Sequence, residues 1–571
     1  MATLSGAEVI TQMFDSYGVT HVYFVPTILT HTLVEMEKST SISRVLVHSE
    51  KAAAYMADGY ARVSGRPGVC MGQAVGAANL ASGLRDARLT ASPVLAITGG
   101  PFKHSRDRFQ YQEIEDRPMF APLVKASMRV ELADRLPAAL RQAFRTATSG
   151  RPGPVHVELE SHHGDAVELQ TTQEPPAVEL RDQQIPPFRP PADPQDVEEA
   201  GRLLARATRP VIVAGGGVRM SGARAELIRF AEAFDIPVAA SLSGKDVIPA
   251  DHPLSVGVIG LYSRECANRV VAEADLVFFV GTKTGSQGTH SWKVPDSSKS
   301  FIHCDIDPEI VGVNYLNDSS LVGDVAAVIG QLTDAMSQME SVDRGGWLAD
   351  ARSHVADWYS KNDAIRHTDA SPIRPERLCK DLSVELPEDA VVFADTGHAG
   401  MWGGGWLDLR SPEQIFVRAA GSLGWAFPAS IGGQCALPDR PVVTFTGDGG
   451  MWYHLSELET AARWNIPVKV IVNNNDSLNQ EIGIYRDAYG GELRGKHHQL
   501  WNFRSVDFAA IARELGVASA RVESADGFSV AFKEALRTDG PFLIDVATDQ
   551  NATAPLAFLP GASGTSHPGG R

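Results

Sequence analysis

The sequence predicts an α/β protein made of three doubly wound parallel sheets. Short apolar, β-branched runs alternate with helix-length segments along most of the 571 residues, and this alternation is typical of parallel sheets covered by helices. A proline-rich stretch at 171–195 and a polar helical stretch at 341–370 divide the alternating segments into three sets. We therefore expect domains over 1–175, 195–340 and 370–550, followed by a tail over 551–571 that is either flexible or a lid.

The composition is that of a globular protein in a reducing compartment. Hydrophobic residues make up 43% and charged residues 21%, and the net charge of −17 argues against a polyanionic partner such as nucleic acid. The five cysteines show no CxxC spacing, so neither a zinc site nor a disulfide framework is indicated. The N-terminus has no signal-peptide pattern, and no run of ~20 apolar residues predicts a membrane span. We expect a cytoplasmic protein that does not bind a membrane.

The first module begins with an amphipathic helix around Val9 and then alternates strands with helices. Its second strand runs directly into His48-Ser49-Glu50, and a helix rich in small residues is predicted over 51–63. The predicted strands of this module lie at 21–25, 44–47, 69–72, 94–97 and 155–157.

Seven prolines between 171 and 195 exclude a helix or a central strand there, so this stretch is expected to be an extended linker. The middle module follows, and its first strand meets Gly215-Gly216-Gly217. This triplet either cradles a nucleotide phosphate or is a plain tight turn, since the GxGxxG pattern is not matched. The predicted strands of the middle module lie at 210–214, 238–240, 276–280 and 301–306.

The third module contains the most informative stretch of the chain, residues 442–481. A strand at 442–445 leads into Gly447-Asp448-Gly449-Gly450, a helical pattern follows until Pro467, and a second strand at 468–472 ends in Asn473-Asn474-Asn475. A strand–helix–strand unit pairs its strands in parallel, so both polar clusters emerge at the same edge of the sheet. Two further strands are predicted at 391–393 and 542–546.

Asp448 and Asn475 stand 27 residues apart at this predicted edge. Asp448 offers a carboxylate oxygen, Asn475 an amide oxygen, and the neighbouring glycines allow a phosphate to approach the backbone. Few rigid oxygen ligands, completed by phosphates of a substrate or cofactor, describe a Mg²⁺ site better than a Ca²⁺ site.

The GDG triplet, the helix and the Asn-Asn pair at this distance resemble the signature of the thiamine diphosphate-dependent enzymes. The resemblance implies the thiamine diphosphate-binding fold, with the cofactor held through Mg²⁺. It implies that Asp448 and Asn475 ligate the metal through their side chains and Ser477 through its carbonyl. It further implies that the loop of Gly447, Asp448, Gly449 and Gly450 lies against the cofactor.

The segment from His48 to Arg62, HSEKAAAYMADGYAR, is similar to the segment that carries the activating glutamate of this family. The resemblance implies that Glu50 hydrogen-bonds a ring nitrogen of thiamine diphosphate and so activates it. Such a carboxyl group must lie in an apolar pocket where it keeps or shares a proton near neutral pH. The apolar strand before Glu50 and the small residues after it suit such a pocket.

Other positions match the family through shorter motifs. Leu423, between Ser422 and Gly424, matches the bulky apolar residue that bends the cofactor, and Gly397, His398 and Ala399 match the loop that grips its diphosphate through backbone amides. Gln112 matches a glutamine near the substrate end of the cofactor. His31 and Gln73 fall close to strand ends of the first module and are expected to line the same cavity.

The resemblance covers the chain from Val9 to Val546 and is closest to the acetolactate-synthase-like branch, with two departures. The glycine, methionine-valine and Arg-Gln-Trp that follow the Asn pair in synthases are replaced here by residues 479–484, which read NQEIGI. In the middle module Gly281-Thr282-Lys283-Thr284 replaces the family's Gly-x-Arg-Phe-Asp stretch, so FAD is not expected, and either ADP or CoA is an alternative ligand. Glu481 resembles the proton-transferring glutamate of pyruvate-type decarboxylases and 2-hydroxyacyl-CoA lyases.

These resemblances imply an enzyme that cleaves, or reversibly forms, a carbon–carbon bond next to a carbonyl. The expected catalytic residues are Glu50, Glu481, Gln112 and His31, and the expected substrate is a 2-oxo acid or a 2-hydroxyacyl thioester. A lyase or decarboxylase is favoured, and the alternative is an acetolactate-synthase-like carboligase that joins two 2-oxo acids. A non-catalytic relative is the third hypothesis, but the presence of Glu50, Asp448 and Asn475 argues against it. The family resemblance also implies a homodimer or homotetramer.

Overall fold

The computed structural model describes residues 3–340 and 342–557, so most of the predicted tail over 551–571 lies outside the described residues. The chain folds into three six-stranded sheets flanked by helices, and every strand pair within these sheets is parallel. The predicted α/β class with three parallel sheets is therefore confirmed. Each sheet is built on one stretch of the chain, in the order N-terminal, central and C-terminal.

The N-terminal sheet has the strand order β3-β2-β4-β5-β7-β6, and a small antiparallel pair, β1 with β8, lies beside it. The order reverses between β2 and β4, so the loops after these two strands diverge to opposite faces of the sheet. Its strands are β1 Leu4–Ser5, β2 His21–Phe24, β3 Ser43–Leu46, β4 Gly68–Gly72, β5 Val94–Gly99, β6 Ala126–Val130, β7 Val155–Leu159 and β8 Thr171–Thr172. Its helices are α1 Gly6–Ser16, α2 Thr30–Ser39, α3 Glu50–Ser64, α4 Ala77–Thr90, α5 Arg117–Phe120, α6 Leu136–Thr148 and α7 Asp165–Glu168.

The central sheet has the order β11-β10-β9-β12-β13-β14 and reverses between β9 and β12. Its strands are β9 Pro210–Ala214, β10 Val238–Ala240, β11 Ser255–Val258, β12 Leu276–Val280, β13 Ser300–Asp305 and β14 Ser319–Val322. Its helices are α8 Pro194–Arg206, α9 Gly216–Met220, α10 Arg224–Ala233, α11 Glu265–Glu273 and α12 Val325–Met336, and α13 Gly345–Arg366 leads on to the last sheet.

The C-terminal sheet has the order β16-β15-β17-β18-β20-β19 and reverses between β15 and β17. Its strands are β15 Val391–Ala394, β16 Ile415–Arg418, β17 Val442–Gly447, β18 Lys469–Asn474, β19 Ala518–Val522 and β20 Phe542–Ala547. Its helices are α14 Pro375–Glu385, α15 His398–Gly405, α16 Ala426–Ala436, α17 Asp448–Tyr453, α18 Glu457–Arg463, α19 Ile482–Ala488, α20 Phe508–Glu514 and α21 Ala525–Arg537.

Two of the predicted elements have a different form in the structure. The helix expected after the GDG turn begins directly at Asp448 and is interrupted after Tyr453, so that α17 and α18 are two short helices. The proline-rich stretch is not extended throughout, because its first two residues form β8 and residues 180–183 form a 3-10 turn.

The N-terminal and C-terminal sheets are joined by α3 and α16, which cross in close contact. A Cβ atom on Gly59 of α3 would lie 1.9 Å from the carbonyl oxygen of Ala429, and one on Gly432 of α16 would lie 1.9 Å from the carbonyl oxygen of Met56. The two glycines therefore let the backbones of the helices touch. One hydrophobic core accordingly runs across both sheets.

A buried polar network fastens the same crossing. Arg62 of α3 donates to Asp58 at 2.9 Å through Nε, and its guanidinium lies 4.2 Å from the ring centre of Trp425. The Trp425 indole nitrogen donates to Asp58 at 2.9 Å, and Arg62 also donates to the carbonyl oxygen of Arg418 at 2.7 Å. Each buried charge thus has a partner, as burial requires.

The five cysteines are unpaired thiols, of which Cys435 alone is partly accessible. Within the described ranges, the length and hydropathy of the helices do not suit any of them to span a bilayer.

Candidate active site at the edge of the C-terminal sheet

The strand order of the C-terminal sheet reverses between β15 and β17, and the predicted cofactor-binding residues surround this point. The loop after β15 carries residues 397–399, which we call the diphosphate loop. The turn after β17 carries residues 447–450, which we call the metal loop. In open parallel sheets, ligands bind where two such loops diverge at the carboxyl ends of the strands.

Asp448 is almost fully buried at the start of α17. Its carboxylate accepts hydrogen bonds from the backbone N–H groups of Gly449 and Ser477, both at 2.8 Å. Burial raises the pKa of Asp448 to about 7, against the effect of these two hydrogen bonds. None of the ion pairs found among residues 3–340 and 342–557 includes Asp448. A buried carboxylate without a protein cation suits a bound metal ion.

Asn475 and Ser477 lie beside Asp448 on the segment that leaves β18. The side-chain oxygen of Asn475 is buried and has no hydrogen-bond partner in the structure. A buried acceptor of this kind normally has a partner, which here fits a cation. No cluster of three or more His, Cys, Asp or Glu side chains suited to a metal occurs in the described part of the chain, so a metal held by Asp448 would take few carboxylate ligands. Such a site depends on amide and carbonyl oxygens and on the phosphates of a ligand.

The glycines of the metal loop are required by close packing. A Cβ atom on Gly449 would lie 2.4 Å from Leu478, and one on Gly450 would lie 2.5 Å from the Thr446 hydroxyl. The loop therefore lies close against the segment that follows β18. Glycine at these positions keeps Asp448 within reach of Ser477.

Asp395 organises this edge of the sheet, although the sequence analysis gave it no role. It is fully buried, and its carboxylate accepts from the N–H groups of Gly424 at 3.0 Å and Ala426 at 3.3 Å and from the hydroxyl of Thr446 at 3.1 Å. Burial raises its pKa to about 6. Its position directly after β15 was the one signal of this role, because strand ends at a reversal point carry site residues.

The diphosphate loop depends on Gly397 and His398. Gly397 has φ +64° and ψ −142°, a conformation open essentially to glycine alone. The Nδ1 of His398 lies 2.6 Å from the Asn479 side-chain oxygen, and its Nε2 accepts from the Ala554 N–H at 3.3 Å. His398 is therefore neutral, and burial lowers its pKa to about 4. Its side chain therefore connects the diphosphate loop to the segments that carry Asn479 and Ala554.

Leu423 is apolar but partly exposed. Contacts of the residues on either side of it fix its position. Gly424 has φ +85°, and a Cβ atom there would lie 2.5 Å from the Cβ of Tyr453. The Ser422 N–H donates to Asp86 of α4 at 3.2 Å. Leu423 thus stands on a rigid loop between the two sheets and beside the metal loop.

Glu50 lies at the carboxyl edge of the N-terminal sheet as the first residue of α3. The helix is capped by Ser49, whose hydroxyl accepts from the Ala52 N–H at 3.1 Å. Asn79 donates to the Glu50 carboxylate at 3.2 Å, and a Cβ atom on Gly76 would lie 2.4 Å from the other carboxylate oxygen. Glu50 is 8% exposed, so the buried environment expected for it is present.

Gln112 lies near Glu50, whereas His31 stands apart. Gln112 accepts from the Val75 N–H at 3.2 Å and donates to the Gln73 side chain at 3.3 Å, and Gln73 in turn donates to the carbonyl oxygen of Pro26 at 3.1 Å. These residues bridge the loops after β2 and β4, where this sheet reverses its order. His31 is exposed on α2, and among the described residues no hydrogen bond joins it to Gln73 or Gln112.

The structure gathers the predicted residues into two groups. The metal loop, the diphosphate loop, Leu423 and Asn475 surround one edge, and Glu50 with Gln112 lies on another sheet. No hydrogen bond joins Glu50 to the first group within the described ranges. Glu481 belongs to the first group and is half-buried on a 3-10 turn, Asn479–Glu481, whose Gln480 contacts the diphosphate loop.

A cavity of about 480 Å³ lies at the reversal point of the central sheet. The loops after β9 and β12 meet there so closely that a Cβ atom on Gly215 would lie 2.1 Å from the carbonyl oxygen of Gly281. Gly216 and Gly217 line the cavity. The glycine triplet therefore forms a close turn and also contributes to the wall of the cavity.

Cations from all three sheets face this cavity. Arg151, Lys283 and Arg418 line it. Lys283 donates to the carbonyl oxygen of Leu89 at 2.6 Å, and burial together with Arg151 lowers its pKa to about 8. The Nε of Arg418 is buried without a partner. An unpaired guanidinium nitrogen beside two further cations suits an anionic ligand.

Three family models match the chain in the order of its sheets. The N-terminal TPP binding domain of the thiamine pyrophosphate enzymes matches residues 4–119, the central domain matches 197–332, and the C-terminal TPP binding domain matches 395–546. The matched ranges contain Glu50, the cavity loops and the metal loop respectively.

Similar proteins are acetolactate synthases. A probable acetolactate synthase large subunit of Methanocaldococcus jannaschii is 32% identical over 97% of this chain and 93% of its own length. An acetolactate synthase of Arthrospira platensis is 31% identical over 98% and 96%, and the acetolactate synthase isozyme 2 large subunit of Escherichia coli is 29% identical over 98% of both chains. The predicted resemblance is confirmed, and the chain belongs to the thiamine pyrophosphate enzyme family, in its acetolactate-synthase-like branch.

Proposed function

We propose that this protein is a carboligase that uses thiamine diphosphate and Mg²⁺ to join two 2-oxo acids. The observation that carries the proposal is its similarity, over more than nine tenths of both chains, to proteins named acetolactate synthase. This favours the alternative of the sequence analysis over its preferred lyase or decarboxylase. Thiamine diphosphate, when bound, supplies a nucleophilic carbon that attacks the carbonyl carbon of the substrate.

Residues of the C-terminal sheet would hold the metal and the diphosphate. Asp448 and Asn475 would supply side-chain oxygens and Ser477 its carbonyl oxygen to Mg²⁺. The buried, unpartnered oxygen of Asn475 supports this assignment. The diphosphate loop would donate backbone N–H groups, and Leu423 would provide an apolar surface next to them.

Glu50 would hold a proton against a ring nitrogen of the cofactor. Its burial and its contacts with Asn79 and Gly76 restrict the carboxylate to one orientation. Gln112 would orient the substrate from the same edge, where it is fixed by Val75 and Gln73. His31 is exposed, and a contact with the substrate would require the flanking loop to close over it.

Glu481 favours a second candidate function, a lyase of the decarboxylase or 2-hydroxyacyl-CoA type. The chain places a carboxylate directly after Gln480, which contacts the diphosphate loop, whereas synthases are expected to carry an apolar residue at this position. A carboxylate there would move a proton to or from the substrate beside the reacting carbon. Such a carboxylate suits a lyase or decarboxylase, whose reaction ends in protonation. It suits a carboligase less directly, because that reaction ends in a new carbon–carbon bond.

The central cavity would hold an anionic ligand, either ADP or CoA. The support is the partner-free Nε of Arg418 beside Lys283 and Arg151. The volume of about 480 Å³ falls within the usual range for a small-molecule site. If the substrate is a CoA thioester, CoA in this cavity would be part of the substrate of the second candidate function, the 2-hydroxyacyl-CoA lyase.

The active unit would be at least a dimer, with Glu50 and Asp448 of different copies facing one cofactor. Apolar side chains near Glu50 support a second copy as the occupant of this edge, since they are exposed in one chain: Val75 61%, Phe109 100%, Tyr111 76% and Ile114 64%.

Parallel turnover assays test the proposed function. Pyruvate, benzoylformate and a 2-hydroxyacyl-CoA are each supplied with thiamine diphosphate and Mg²⁺, and the products are identified by mass spectrometry. We expect a carbon–carbon ligation product from pyruvate, and none from the Glu50→Gln variant. Release of aldehyde without ligation, or cleavage of the thioester, would instead establish the second candidate.

A further inference from the structure

The loop between β11 and α11, residues 259–263, lies between the central cavity and helix α15 of the C-terminal sheet. Ile259 and Tyr262 of this loop line the cavity. The Leu261 N–H donates to the carbonyl oxygen of Gln287 at 2.9 Å, and Gln287 also lines the cavity. The position of the loop is therefore fixed in part by the cavity wall.

Tyr262 reaches from this loop to the C-terminal sheet. Its backbone oxygen lies so near α15 that a Cβ atom on Gly404 would be 2.7 Å away. Its hydroxyl accepts a hydrogen bond from the Gln480 side chain at 3.3 Å. One tyrosine thus borders the cavity and contacts the turn that carries Glu481.

Gln480 makes a second contact at the other end of its amide. Its side-chain oxygen lies 2.8 Å from the position of a Cβ atom on Gly397, the first residue of the diphosphate loop. Gln480 therefore spans from Tyr262 to the loop proposed to hold the cofactor. Gln480 is thus a direct contact between residues 259–263 and the turn Asn479–Glu481.

We propose that Tyr262 is a positioning residue that couples occupancy of the central cavity to the reaction site through Gln480. An anionic, phosphate-bearing ligand in the cavity fixes residues 259–263, and the hydroxyl of Tyr262 then holds Gln480 and Glu481 in one position. The inference rests on the proposed function for the identity of the reaction, but the contacts themselves lie within one chain.

The substitution Tyr262→Phe removes the hydroxyl and keeps the ring that packs against α15. One hydrogen bond between neutral groups corresponds to about a two- to tenfold effect. We therefore expect saturating ADP or CoA to raise kcat of the wild-type enzyme by this factor and to leave kcat of Tyr262→Phe unchanged. The KM for substrate and the affinity for thiamine diphosphate should be the same in both proteins.

Two further variants make the comparison specific. Gln480→Ala should abolish the same stimulation, and the double variant should be no worse than either single variant, because both changes break one contact. Tyr315→Phe removes another buried hydroxyl of the central sheet, which donates to the carbonyl oxygen of Pro295 at 3.3 Å away from the cavity lining. This control should keep the full stimulation.

A readout without turnover separates this inference from the proposed function. ADP, CoA and, as a phosphate-free control, adenosine are added to the full-length protein, and hydrogen exchange of residues 478–482 is followed by mass spectrometry. ADP or CoA, whichever binds by calorimetry, should slow this exchange in the wild type and not in Tyr262→Phe. The inference would be overturned if exchange slowed equally in both proteins, or if it did not change although a nucleotide binds. It would also be overturned if neither ADP nor CoA bound. Loss of turnover on every substrate with the exchange pattern intact would overturn the proposed function alone.

Discussion

Asp448 is the residue on which cofactor retention should depend most strongly. Its carboxylate is buried and fixed by the N–H groups of Gly449 and Ser477, so it is oriented before a metal arrives. We expect Asp448→Ala to weaken thiamine diphosphate binding by more than about 100-fold, since loss of a second-shell partner alone costs about 10- to 100-fold at metal sites. The fold should persist, because burial already penalises the charged carboxylate. Titration calorimetry with saturating Mg²⁺ and circular dichroism check the two expectations.

Asp476→Asn is the matched control for this variant. It removes a neighbouring carboxylate and the same charge, but Asp476 is not among the proposed ligands. Its thiamine diphosphate affinity should stay within about threefold of the wild type, because a charge that does not ligate contributes only a screened interaction. Equal losses in the two variants would indicate a general charge effect and would contradict the role of Asp448.

Glu481→Gln separates the two candidate functions at the level of one side chain. If Glu481 transfers a proton, the variant should lose about 10²- to 10⁴-fold in kcat, the usual span for a general acid or base. Thiamine diphosphate binding should barely change, because Asp448, Asn475 and Glu50 are untouched. Steady-state kinetics on the substrate identified by the turnover assays give the answer. Wild-type turnover by the glutamine variant would refute the role.

At the scale of single residues, the sequence predicted those whose neighbours form a recognisable motif. Asp448 and Asn475 fall in this class, because each directly follows a buried strand and is flanked by glycine or asparagine. Asp395 and Tyr262 could not be assigned in the same way. Their partners, such as Gly424 and Gln480, are distant in the sequence, and only the folded chain brings them into hydrogen-bond distance.

The crossing of α3 and α16 is the element-scale feature that should tolerate substitution least. A methyl group on Gly59 or Gly432 would overlap a backbone carbonyl of the other helix at 1.9 Å, and the backbone cannot move away as a flexible side chain could. We expect Gly59→Ala and Gly432→Ala each to lower the free energy of unfolding by at least about 1–3 kcal/mol, the usual cost of overpacking. Urea unfolding followed by tryptophan fluorescence measures this change.

Gly330→Ala provides the control for these two variants. Gly330 is exposed on α12, and a Cβ atom there would meet no other atom within 4 Å. Replacing a helical glycine by alanine at such a site stabilises by up to about 1 kcal/mol. Destabilisation by Gly330→Ala equal to that of Gly59→Ala would show that the loss of glycine, and not the helix contact, is responsible.

The sequence did not predict the short pair β1 and β8, and within the three six-stranded sheets the strands that it missed all lie at the edges. They are β6, β11, β14, β16 and β19, each the outermost strand of its sheet. Central strands such as β12 are buried on both faces and read as continuous apolar runs, whereas the edge strand β19 has the sequence ASARV and is partly exposed. An apolar run is therefore a good signal for a central parallel strand and a poor one for an edge strand.

Lys245 makes the contact between the central and C-terminal sheets dependent on pH. It is buried, and its Nζ donates to the carbonyl oxygen of Gly404 at 2.8 Å. Burial, reinforced by Arg264, lowers its pKa from 10.5 to about 7. The charged groups that act on Lys245 are Arg264, Asp408 and Arg366, and the buried thiol of Cys379 is a further titratable neighbour.

The sign of this effect follows from the lowered pKa. The folded protein binds fewer protons than the unfolded chain between about pH 7 and pH 10.5, so Lys245 makes stability rise with pH across this window, by at most about 1.4 kcal/mol per pH unit. Below pH 7 the full cost of charging the buried lysine is present. Lys245→Met should therefore gain stability relative to the wild type at pH 6.5 and lose most of that advantage by pH 9.5. If the difference between the urea midpoints of the two proteins stayed constant across this pH range, the lowered pKa of Lys245 would be contradicted.

The arrangement of the whole molecule predicts that the reaction site is shared between two copies. Glu50 lies at the edge of the N-terminal sheet and Asp448 at that of the C-terminal sheet, and within the described chain no hydrogen bond joins the Glu50 carboxylate to Asp448 or to its partners Gly449 and Ser477. The sequence alone placed both residues at strand ends. It could not relate the two edges to each other, because that depends on the packing of α3 against α16.

Mixed assemblies of two inactive variants test this arrangement. Glu50→Gln and Asp448→Ala subunits are exchanged in equal amounts, and exchange is proven by mass spectrometry of differently tagged chains. In a two-fold dimer with shared sites, a mixed dimer has one site with both substitutions and one with neither. Random mixing makes about half of the dimers mixed, so about a quarter of all sites, and of the wild-type activity, should return. If each site were built from a single chain, every site would carry one substitution, and the mixture would stay as inactive as its components despite complete exchange.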